Sequence, residues 1–174
     1  MPIPTNIKFD EAISLTQAFL TRLNRNEIPS AEILTFVSEL VQTSNGARGF
    51  FVVYLTAEDP ICDTPQPEVI AALQANPEIA VDLLVKNVAM STAQQLYHQR
   101  RNDSDMMASS ATVAARTATM IRQLNLPQIQ ELCQELVSTI KTGSGDYSEF
   151  LIRWGYDDEQ KSAIAKSISQ LLSM

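Results

Sequence analysis

His98 is the only histidine in this 174-residue chain, and it stands in the stretch QLYHQRRND beside Tyr97, Arg100, Arg101 and Asp103. An imidazole changes charge near neutral pH and can move a proton, while arginine forks grip carboxylates or phosphates through two parallel hydrogen bonds. Together these residue types could fix an acidic ligand or support acid–base chemistry. A hydrolase or transferase centred on His98 would also need a serine or a carboxylate from another helix, which spacing does not supply. The plainer reading is a helix end, where the macrodipole attracts cations anyway, followed by RRNDSD as an exposed, charge-balanced turn. The sequence favours the plainer reading.

Two other groups of residues invite a functional reading. Met90, Met106, Met107 and Met120 fall on two long apolar segments. Flexible thioethers fill irregular core gaps and equally suit adaptable binding grooves. A small-ligand pocket lined by Met90 and Met120, with His98, Arg100, Arg101 or Arg116 holding an acidic group, is the second functional hypothesis. The stretch RWGYD contributes Trp154 and Tyr156, residue types common at interface hot spots, and also common where a short helix stops beside a core.

Other signatures are missing. Cys62 and Cys133 are far apart with no CxxC and no histidine pair, so the sequence carries no zinc or redox motif. There is no P-loop, dinucleotide fingerprint or GxSxG. No metal or cofactor is expected, and no residue is assigned a catalytic role. The net charge of −7 repels phosphate backbones and anionic lipid, which disfavours nucleic acid and membrane surfaces as partners. Residues 86–122 depart from this, carrying a net +3 against −10 elsewhere. No run approaches the ~18 apolar residues of a membrane span, and the start MPIPTNIKFDEA does not read as a secretory signal. A cytoplasmic location is the expectation.

The elements that would position these groups read as helices throughout. Apolar spacing marks one over Phe9–Leu23, with Asp10 and Glu11 in its first turn. A second should start at Ser30 as N-cap, carry Ile33, Val37, Leu40 and Val41 on one face, and stop at Asn45-Gly46. The three prolines of AEDPICDTPQP make a loop. Pro67 and Pro77 each open a helix as its first residue. The helix from Pro77 to about Arg100 is apolar nearly all round, as a surrounded helix should be. The Ala-, Ser- and Thr-rich segment from Met106 follows a short connection and is expected to lie antiparallel to it. Pro127 begins an amphipathic helix that Gly143 ends. Asp146 with Glu149, and Asp157 with Gln160, read as capping boxes for two more, with Gly155 between them.

The run FFVVYL, residues 50–55, suits a strand by composition, yet no second segment reads as a strand. Buried backbone groups left unpaired cost about 1 to 3 kcal/mol each, against less than about 1 kcal/mol per residue for propensity. A buried helix over Ala47–Thr56 is therefore expected, with Gly46 and Gly49 where close packing or a turn needs no side chain. The alternative is a strand paired with its copy in a second subunit, which would place Phe50, Phe51 and Tyr54 in a dimer interface beside Trp154 and Tyr156.

The stretches NGARGFFVVYLT, LLVKNVAMSTAQQ and RWGYDDEQ resemble small, uncharacterised helical proteins of photosynthetic bacteria. That resemblance implies a cytoplasmic accessory protein and brings no activity or site residue with it. The expected architecture is all-α: one helical domain over residues 1–174, of seven to nine helices around a central antiparallel pair. The leading functional expectation is a non-enzymatic interaction or accessory protein, acting on itself as a homodimer or on another protein.

Overall fold

A computed structural model describes residues 3–173. Among these the chain forms nine α-helices and one 3-10 turn, with no strand. The helices divide into two compact units. The first takes the described residues up to Leu83 together with Thr119–Leu124; the second takes Leu84–Ala118 and the described residues from Asn125 onward.

In the first unit α1 (Phe9–Asn24) buries Ala12, Thr16, Phe19, Leu20 and Leu23, the three-four spacing of one helical face. Glu11 reaches back to accept the Lys8 N–H at 2.9 Å, satisfying an orphan donor of the first turn. α2 (Ser30–Leu40) buries Ile33, Val37 and Leu40. It begins one residue earlier than expected: Pro29 occupies the N-cap position, and the Ser30 hydroxyl instead bonds the Glu68 carboxylate.

α3 (Ser44–Thr56) holds the apolar run, and eight of its thirteen residues are buried. Asn45-Gly46 does not end α2; it lies in the first turn of α3. Thr43 caps that turn, its Oγ1 accepting the Gly46 N–H at 3.0 Å. α3 packs along α1, and Gly49 sets how close they come. A Cβ at Gly49 would lie 2.5 Å from the Ala12 Cβ and 3.1 Å from α1 backbone atoms. α4 (Pro67–Ala75) packs on α2, after a 3-10 turn at Pro60–Cys62 that Asp59 caps.

α5 (Pro77–Arg100) and α6 (Ser104–Leu124) each contribute residues to both units. In the second unit α7 (Pro127–Thr142) packs on α9 (Asp158–Leu172), Ile129, Cys133 and Leu136 being buried on one and Ile164 and Ile168 on the other. Gly143 and Gly155 end α7 and α8 (Ser148–Trp154) in the left-handed region, at φ 77° and 61°, which glycine enters at no steric cost. Asp146 does not cap α8. Tyr147 holds that position, and the Asp146 N–H donates to Glu135 Oε1 at 3.1 Å. Three asparagines, Asn26, Asn102 and Asn125, adopt positive φ just beyond the ends of α1, α5 and α6, the conformation asparagine tolerates best after glycine.

Candidate functional site

The basic stretch around His98 folds into the turn between α5 and α6, in the second unit. Asn102 at φ 56° makes the turn tight. Its backbone closes through Arg101 N to His98 O at 3.1 Å and Asp103 N to His98 O at 3.0 Å. Asp103 then starts α6, its Oδ1 accepting the Met106 N–H at 3.1 Å.

Arg100, the last residue of α5, reaches the start of α9. Its guanidinium donates to Asp157 Oδ2 at 2.7 Å and Oδ1 at 3.3 Å, and to Glu159. Asp157 also caps α9: its Oδ1 accepts the Gln160 N–H at 2.8 Å, and Gln160 Oε1 accepts the Asp157 N–H at 3.0 Å. The expected capping box is thus present and doubles as an anchor for Arg100. Hydrogen bonds from Arg100 hold the Asp157 carboxyl below its ordinary range, and the two acids hold the Arg100 guanidinium charged.

The two junctions that this ion cluster joins also carry exposed apolar side chains. Tyr97 is 44% exposed and Met106 48%, and Arg101 sits over the Tyr97 ring at 5.4 Å. On α8, which runs into α9 through Gly155 and Tyr156, Ile152 is 78% and Trp154 48% exposed. Two residues separate Trp154 from Asp157, so their Cα atoms lie within about 11 Å. The α5–α6 turn and the α8–α9 junction therefore form one end of the second unit.

His98 is on this end but turned inward. Its side chain is 13% exposed and lies 4.0 Å from Asp103 Oδ2, and its buried Nδ1 has no hydrogen-bond partner. A substrate would have little access to the ring. Arg116 and Met120 are buried and Met90 is half-buried. Met120 belongs to the first unit, and Met90, His98, Arg100, Arg101 and Arg116 to the second.

Phe50, Phe51 and Tyr54 are core residues, at most 2% exposed. They present no surface to a second subunit, and the helix they occupy removes the intersubunit strand. The reason is that α3 is enclosed on more than one face, packing along α1 and also touching α2. Tyr156 is also buried, packed edge-on to Phe150, and burial pushes its hydroxyl up to about 12. Of the five expected interface residues, Trp154 is the exposed one. Burial likewise pushes the Cys133 thiol up to about 11, so it is a poor nucleophile.

Two cavities, of about 580 and 630 Å³, are lined by α1 and its neighbours in the first unit. The larger lies between α1 and α2, where Phe19 and Phe36 stack at 4.4 Å. Sequence reading missed it. Its signal was present in Leu15 and Phe36, large apolar residues that the periodic stripes left over.

No helix among the described residues is long and apolar enough to cross a membrane. No group of three or more histidine, cysteine, aspartate and glutamate residues among them could hold a metal ion. The family described as Uncharacterised conserved protein UCP020893 matches residues 8–171. The chain belongs to this family. Its description assigns UCP020893 members no activity, and no curated protein and no solved structure matches the chain.

Proposed function

We propose that this chain is a non-enzymatic accessory protein of the cytoplasm that works by associating with a second copy of itself, through the exposed end of its second unit. The observation that carries this reading is that Tyr97, Met106 and Trp154, all exposed, stand on the two helix junctions that Arg100 ties together through Asp157 and Glu159. Tyrosine, tryptophan, methionine and arginine are the types enriched where proteins meet. The same end carries charges of both signs, Arg101 and Arg153 with Asp105 and Asp158, all exposed. A twofold contact brings one patch against its own copy, and a patch of mixed sign can match itself where a single-sign patch would repel.

The resemblance of three stretches to proteins of photosynthetic bacteria supports an accessory role in such a cell, and the net charge of −7 speaks against nucleic acid as the partner. Sedimentation velocity over a wide concentration range tests the proposal. Wild-type protein should shift toward twice its 19.3 kDa monomer mass as concentration rises, and Trp154→Ala or Tyr97→Ala should abolish the shift without loss of helicity. A wild-type protein that stays monomeric throughout, or variants that associate normally, would overturn it.

A further inference from the structure

We propose that the groove between α1 and α2 is a binding site for a small organic cation, with a flat apolar body against the Phe19–Phe36 pair and a protonated amine at the Asp10 and Glu11 edge. The groove's volume of about 630 Å³ falls in the range that holds small ligands. Leu15, Ala18, Phe19 and Phe36, with Ile3 and Ile7 of the leading segment, make most of its wall. The two rings stack 10° from parallel, so each covers one face of the other, and the half-buried Phe36 presents the groove with ring surface of the kind that stacks on planar groups and attracts cations.

The ionised groups of the lining decide the sign of the ligand. They are Asp10, Glu11, Glu32 and Arg22. Arg22 is committed to Glu32, with Nη1 at 2.8 Å from Oε1 and Nη2 at 3.4 Å from Oε2, and that pair cancels. Two carboxylates remain. One Glu11 oxygen accepts the Lys8 N–H, which leaves most of its acceptor capacity open, and the Asp10 carboxylate is exposed at the rim. The α1 N-terminus opposes them with about half a positive charge. Lys8 adds one more nearby but is not part of the lining. The balance stays negative, and the chain's overall charge repels anionic ligands further.

Three naphthalene probes of one shape test this on the full chain, followed by proton–nitrogen NMR: 2-naphthylmethylamine, 2-naphthylmethanol and 2-naphthoate. The amine should shift resonances of α1 and α2 and bind at least about tenfold more tightly than the carboxylate. Asp10→Asn combined with Glu11→Gln, which keeps a capping side chain at position 11, should reduce the amine to the affinity of the alcohol. Phe36→Leu should weaken all three. The proposal is overturned if the amine leaves α1 and α2 unshifted, if the three probes bind alike, or if the double variant binds the amine as wild type does.

Discussion

Helix α3 of the first unit and the outer end of the second unit are both rich in large apolar side chains, and solvent treats them oppositely. At the first, Gly49 lets α3 lie close against α1, and the other faces of α3 bury Phe50, Phe51 and Tyr54 almost completely. At the outer end, α8 is only seven residues long. It buries Leu151 with the neighbouring Tyr147, then stops at Gly155, leaving Ile152 and Trp154 outside. One region spends its aromatics on stability and the other keeps them available for contact. Composition alone does not separate the two, because the separation depends on what each helix face meets.

That contrast can be broken from α3 first. Phe50→Ala should have the largest effect, costing about 3 to 5 kcal/mol as a fully buried aromatic replaced by a cavity, measured by urea denaturation. Gly49→Val should come next, at about 1 to 3 kcal/mol for overpacking, because the atoms it meets, the Ala12 Cβ and α1 backbone, cannot swing away. If Gly49→Val were neutral in the same assay, the two helices would not be held as closely as described.

At the outer end the ion cluster predicts a pH dependence. The folded-state pKa of Asp157 is depressed, so its contribution is complete above the unfolded value of about 4 and fades as pH falls through the lower folded value. Asp157→Asn keeps a good N-cap residue but loses the ion pair. Its melting temperature should fall below wild type near neutral pH, and the gap should close in acid below about pH 4. A gap independent of pH would remove the Arg100 tie from the account. Trp154→Ala should have the smallest effect on stability, within about 0.5 kcal/mol; a large loss of melting temperature would return Trp154 to the core.

Much of this fold was legible in the residues. Pro67, Pro77 and Pro127 open the helices they were expected to open, Gly143 and Gly155 end theirs, and Asp157 with Gln160 forms its capping box. The FFVVYL run resolved as a helix because unpaired strand backbone outweighs side-chain propensity. Other signals were ambiguous. Asn-Gly suits a helix stop, but with Thr43 before it as a cap, the same pair suits a first turn. Asp146 and Glu149 had capping-box spacing, yet Glu135 on α7 claims the Asp146 N–H, a partner no local pattern reveals. Asn26, Asn102 and Asn125 end helices without a glycine's signature. At the candidate site, Trp154 and the Arg100 turn were each visible, but that Arg100 would bind Asp157, 57 residues onward, is a tertiary fact.

The most direct test of the contact surface is a dilution series followed by proton–nitrogen NMR on the wild-type chain. Signals of residues 97–107 and 150–159 should move or broaden together as concentration rises, while those of α3 stay fixed. Concentration-dependent changes confined to other surfaces, or none at any concentration, would contradict the account.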